Sequence, residues 1–117
     1  MADKNTTRYF SDKQEKAVVK LIDGIQSPNS GAGKFRKGDV YQRAASMLIE
    51  CKTVMAPKNS ISIKKDWITK NKAEAFSQRL NNQAIAINFE PDGENYFVIN
   101  ERLFKFLIDS LIKDDII

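Results

Sequence analysis

Two short stretches hold the residue types best suited to chemistry: Gly38-Asp39-Val40-Tyr41 and Leu48-Ile49-Glu50-Cys51-Lys52. Side chains alternate faces along a strand. Glu50 and Lys52 therefore share one face, while Met47, Ile49 and Cys51 share the other, apolar one. With Ala44-Ala45 as the two-residue loop of a hairpin, Asp39 falls directly opposite Glu50. Facing residues of an antiparallel pair have Cβ atoms about 4.5–5.5 Å apart, so two carboxylates and one ammonium would share a patch. Two carboxylates that close repel unless something positive lies between them. Hard oxygen ligands without imidazole favour Mg²⁺ or Mn²⁺ over zinc, and the Cys51 backbone carbonyl adds a further oxygen. Lys52 is positioned to orient or deprotonate a water, or to stabilise a charged phosphorus centre. Such a set suits metal-assisted hydrolysis of a phosphodiester. The same trio is equally compatible with a plain cross-strand ion pair, because a Glu-x-Lys triplet arises often by chance.

The composition narrows the alternatives. The 117 residues contain no His, which excludes Ser-His-Asp and Cys-His triads and His-ligated zinc. A lone Cys excludes an intrachain disulfide or a cysteine zinc site and suits a reducing compartment. No run approaches the roughly 20 apolar residues of a membrane helix, and the start of the chain has no signal-peptide pattern. The expectation is a soluble protein of the cytoplasm, or of the host cytoplasm if phage-encoded, without membrane or nucleotide cofactor. Residues 1–80 carry 16 basic and 8 acidic side chains, and residues 81–117 carry 3 basic and 7 acidic ones. A basic half with Lys34, Arg36, Lys37, Lys64, Lys65, Lys70 and Lys72 is the footprint of a surface facing a polyanion, or else an ordinary solvated face.

The elements that must position these groups are readable in outline. Residues 1–10 read as a flexible N-terminal arm and residues 11–117 as one domain. Ser11, with Gln14 as capping-box partner, opens a helix that runs to about Asp23 and stops at Gly24. Its apolar stripe is Ala17, Val18, Leu21, Ile22 and Ile25, and Glu15 sits at the edge of that stripe. Residues 26–34 read as loop, 38–43 and 46–54 as strands, and Ile61–Ile63 as a short extended piece. A helix over 65–81 offers Trp67, Ile68, Ala73, Ala75, Phe76 and Leu80 to a buried face, and Asn81-Asn82 end it. Residues 84–89 and 96–99 are strands around a turn at Pro91–Asn95. A last helix over 100–113 is capped by Asn100. Its Leu103, Phe104, Phe106, Leu107, Leu111 and Ile112 face inward or toward a partner. The element order is α-β-β-β-α-β-β-α, an α/β class with a central mixed β-sheet flanked by helices.

The succession of a helical Glu15, then Ser30-Gly31, Gly38-Asp39 and Glu50-Cys51-Lys52 resembles the PD-(D/E)XK nuclease superfamily. Within it the chain looks most like the compact Holliday-junction resolvases of archaeal and phage type. The resemblance implies a restriction-endonuclease-like sheet and a metal site of Asp39, Glu50 and Glu15 with the Cys51 carbonyl. It also implies that Lys52 assists the attacking water and that Ser30 contacts the DNA backbone. It implies action on branched DNA in recombination or repair, which suits the homodimer that the apolar last helix suggests, while the basic charge of Lys34, Arg36, Lys37, Lys64, Lys65, Lys70 and Lys72 places them on the phosphates. The chain departs from the pattern in two ways. Gly38 stands where the family name has Pro, and the second long helix has no early Gln: Gln78 comes late, and Lys70 or Lys72 could substitute.

Three other readings follow from the residues. Gly31-Ala-Gly-Lys34 is no phosphate loop, because Pro28 occupies the first Gly position and Phe35 follows the Lys. A non-catalytic nucleic-acid-binding module fits the basic half equally well and would leave Asp39 and Glu50 dispensable. An interaction protein built on the apolar last helix is the third. Cys51 reads as a small core residue and Trp67 as packing. Asp12 and Asp23 read as solvated helix-end groups.

Overall fold

The computed structural model of the chain describes residues 7–27 and 39–114. Over these residues it is an α/β protein with one five-stranded mixed sheet and three helices. In chain order the elements are α1 (Thr7–Ile22), β1 (Ile25–Gln26), β2 (Asp39–Gln42), β3 (Met47–Lys52), α2 (Lys65–Ser77), β4 (Asn82–Ile87), β5 (Tyr96–Val98) and α3 (Glu101–Asp114). The strands lie side by side in sequence order. All neighbours are antiparallel except β3 and β4, which are parallel. Parallel neighbours need a crossover, usually a helix, and α2 supplies it.

The letters of the expected element order survive, but the strands they stand for differ. Ile25 and Gln26 are a strand pairing with Tyr41 and Val40, where the sequence suggested a helix stripe followed by loop. Ile61–Ile63 forms no strand. The start of α1 also differs from expectation. Residues 7–10, read as part of a flexible arm, are helical, and Ser11 lies inside the helix. The apolar line explains this, since Phe10 stands eight residues, just over two turns, before Val18. Nor does Gln14 act as a capping partner. Its amide instead reaches three acceptors across the sheet.

The sheet is covered on both faces. On one, Val18 of α1 packs with Val40, Ile49, Ala84 and Ala86. On the other, Leu48 packs with Ala75, Leu80 and Tyr41. Side chains of this size each contribute about 1.5–3 kcal/mol when fully buried. The α2 face differs from expectation: Ile68, Ala73 and Phe76 are exposed, while Asn71 is buried and donates its amide to the Ala84 carbonyl at 2.9 Å. The helix packs through small and polar residues, not through its large apolar ones.

Helix ends account for other boundaries. α2 stops at Ser77, not near Asn81, because Arg79 adopts a left-handed φ of 61°. The Leu80 amide then bonds the Ala75 carbonyl at 2.8 Å and the Arg79 amide bonds that of Phe76 at 3.0 Å, a Schellman termination. Leu80 is thereby folded back into the core, and Asn82 is free to begin β4. α1 ends the same way, with Asp23 at φ 56° and the Gly24 amide on the Val19 carbonyl at 3.0 Å. Gly24 is needed for a different reason. A Cβ there would lie 2.8 Å from the Tyr41 carbonyl oxygen of β2. Gly24→Ala is therefore expected to force α1 and β1 away from β2, with a cost of about 1–3 kcal/mol. In a thermal melt this reads as a fall of roughly 5–10 °C.

The last helix is capped as its sequence suggests, with the Leu103 amide on Asn100 Oδ1 at 2.8 Å. Its apolar side chains are another matter. Leu103 is buried, but Phe104, Phe106, Leu107, Ile108 and Ile112 are exposed. Among the described residues, no helix is long and apolar enough to cross a membrane.

Candidate metal and phosphodiester site

The β2–β3 hairpin turns at Arg43–Ser46, where Ser46 takes a left-handed φ of 52° and its amide bonds the Arg43 carbonyl at 3.0 Å. That tight turn sets the register, and Asp39 pairs with Glu50 as the spacing predicts. Both carboxylates are buried, Asp39 at 1% exposure and Glu50 at 8%. Two residues on from Glu50, the Lys52 ammonium lies 3.1 Å from Glu50 Oε2 and 4.8 Å from the centroid of the Trp67 ring. Alternation along the strands puts Asp39, Leu48, Glu50 and Lys52 on the α2 face. Cys51 turns the other way, against the α1 layer, as the sequence suggests.

Glu15 arrives from that other layer. It is buried at 4% exposure on α1, three residues before Val18. The Gln26 amide donates to Glu15 Oε1 at 2.9 Å and to Asp12 Oδ1 at 3.0 Å. A neutral donor thus bridges two carboxylates. Asp12, read from sequence as a solvated helix end, lies within the helix, and this hydrogen bond with that of Lys16 holds its pKa below the usual value. The Cys51 thiol lies among negative charges. Burial pushes its pKa up, and the negative charges of Glu15, Asp39 and Glu50 push it further. Such a thiol stays protonated and is no nucleophile.

Among the described residues, no three His, Cys, Asp or Glu side chains form a group close enough to hold a metal. The donors that fit a cation are the facing pair, Asp39 and Glu50. Two buried carboxylates at adjoining ladder positions are a hard-oxygen pair of the kind Mg²⁺ and Mn²⁺ accept. Cys51 stands one residue past the last β2–β3 pair.

Two positions were missed from sequence. Gln14 donates to the Lys52 carbonyl at 3.0 Å, the Ala86 carbonyl at 3.2 Å and Asn95 Oδ1 at 3.0 Å. Its place on the Phe10–Val18 line was the available signal. Gln26, counted as loop, holds Glu15; nothing local in the sequence marks it. Of the basic residues, Lys64, Lys65, Lys70 and Lys72 are exposed on or beside α2, and Lys70 pairs with Asp66 at 3.1 Å. Ser30, Lys34, Arg36 and Lys37 lie outside the described residues.

No protein-family model matches the chain, nor does any curated protein or solved structure.

Proposed function

We propose that the chain is a metal-dependent endodeoxyribonuclease that hydrolyses phosphodiesters in branched DNA, as the resemblance to the PD-(D/E)XK nucleases implies. The observation that carries this reading is the pairing of Asp39 with Glu50, two buried carboxylates face to face with the Lys52 ammonium beside them. A mixed sheet flanked by helices supports the reading at the level of fold class. Asp39 and Glu50 would hold Mg²⁺ or Mn²⁺, with the Cys51 carbonyl and Glu15 as further oxygens. The ion would polarise the scissile phosphate and lower the pKa of a bound water.

The protein's own groups supply the rest. Hydrolysis needs a water oxygen to attack phosphorus, its proton passing to bulk water, while the bond to one ester oxygen breaks and that oxygen takes a proton from water as it leaves. Lys52 donates hydrogen bonds to the water or to the phosphoryl oxygens, where negative charge grows. Glu50 and the Trp67 ring fix its ammonium from two sides. Lys64, Lys65, Lys70 and Lys72 hold phosphates, which confers affinity without sequence preference and makes binding fall steeply with salt. The reading includes a homodimer, since five large apolar side chains of α3 remain exposed and a four-way junction presents two opposed strands to cut.

The test is cleavage of a labelled four-way junction beside a duplex of the same sequence, with Mg²⁺, with EDTA, and with Asp39→Asn. Symmetric nicks on the junction that need the metal and vanish in the variant are expected. Cutting of both DNAs keeps the nuclease and removes the preference for branches. Binding without cutting in Mg²⁺ or Mn²⁺ leaves a nucleic-acid-binding module.

A further inference from the structure

Beside the proposed catalytic centre, on the far side of Lys52, lies a cavity of about 330 Å³. Its walls include Lys52, Thr53, Lys58, Ser60, Ser62 and Trp67. The volume falls within the roughly 300–1,000 Å³ of small-ligand sites. The walls are held in place. Asn88 is buried, and its Oδ1 accepts from the Thr53 hydroxyl at 2.9 Å and the Val54 amide at 3.3 Å. The Lys58 amide bonds the Phe89 carbonyl at 2.8 Å, pinning the segment after β3 to the end of β4. The lining therefore combines the Trp67 indole and the aliphatic Val54 and Ile61 with two ammonium groups and the Ser60 and Ser62 hydroxyls, while the Thr53 hydroxyl is spent on Asn88. The indole, the free hydroxyls and the ammonium groups each match one part of a nucleotide: a flat aromatic face for a base, hydroxyls for base or sugar edges, and cations for phosphate.

We propose that this cavity receives one unpaired nucleotide next to the phosphodiester presented to Lys52, so that the preferred substrate is DNA with an unpaired base at its cleavage point. A stacked duplex offers no free base to a concave pocket, whereas a base at a branch, flap or gap leaves the stack at little cost. Lys64, exposed and 6.0 Å from the Trp67 centroid, is able to swing aside for an incoming base. A single pocket, not a run of aromatics, is what the sparse aromatic content of the basic half allows. The inference relies on the nuclease reading for the position of the cut; occupancy of the pocket is tested apart from it.

Trp67 is the only tryptophan, so its emission reports the pocket directly. The probes are a duplex carrying one unpaired 2-aminopurine at a branch and a fully paired duplex of the same sequence, both in EDTA to prevent cleavage. The unpaired probe is expected to quench Trp67 and to bind about fivefold or more tighter than the paired one. The 2-aminopurine signal then follows the variants. The preference should persist in Trp67→Phe and vanish in Trp67→Ala, with Lys58→Gln weakening the unpaired probe more than the paired one. Equal quenching by the two DNAs, or a preference unchanged in a folded Trp67→Ala, overturns the proposal. Should Trp67→Ala fail to fold, the wild-type comparison and Lys58→Gln decide. A clear preference without any cutting in Mg²⁺ upholds the pocket and removes the nuclease. Cutting without preference does the reverse.

Discussion

Glu50→Gln is expected to make the metal-free protein more stable while lowering cleavage by more than about 100-fold. The two effects share one origin. Like charges directly opposite on a ladder are destabilising by up to about 1 kcal/mol, and a buried carboxylate has lost its hydration. Glutamine keeps the shape and removes the charge facing Asp39. The loss of the Lys52 pair offsets this only in part, because that ammonium is more than a third exposed. The net gain should read as a rise of a few degrees in a melt in EDTA. Activity moves the other way, since even residues that merely support a metal ligand cost 10–100-fold when replaced. Adding Mg²⁺ should raise the wild-type melting temperature and leave that of the variant unchanged, because a ligand that binds only the native state stabilises it. A variant less stable in EDTA would mean that Glu50 is there to pair with Lys52, and the catalytic reading would fall.

Leu48→Ala is expected to cost about 2–5 kcal/mol and to lower the melting temperature by roughly 10–20 °C. Leu48 has no exposed surface and sits between Ala75, Leu80 and Tyr41. Its neighbours include an alanine and a helix end fixed by the Arg79 turn, so they collapse poorly into the space it leaves. Total stabilities of 5–15 kcal/mol make this a large fraction. Phe76 is the control. It lies on the same helix as Ala75 but is 84% exposed, and Phe76→Ser should shift the melt by less than about 2 °C.

The contrast between Leu48 and Phe76 shows what a sequence can convey. Period-two alternation and one short loop placed Asp39 against Glu50 and sent Cys51 to the core, because hairpin register is a local matter. α2 was less legible. Its apolar residues outnumber its buried ones, and the face it presents was settled by the parallel β3–β4 pairing with Asn71 and Ala75 inward. The end of α1 near Asp23 is legible, but that of α2 is not, because its left-handed φ falls on Arg79 and Gly is the residue one looks for there. β1 is two residues long and exists only because β2 offers it an edge. Glu15 was recognisable as a buried-edge carboxylate, but its partner Gln26 depends on that same edge strand.

Gln14 and Glu15 are neighbours on α1 anchored to different parts of the fold. The Gln14 amide is tied to β3, β4 and Asn95 at once, so a slide of α1 by even one turn, 5.4 Å, would break all three bonds. Adjustment at Glu15 must then come from its side chain letting go of Gln26, not from the helix. If Glu15 joins Asp39 and Glu50 around an arriving ion, it does so by trading its Gln26 hydrogen bond for the cation, on a helix that Gln14 keeps in place.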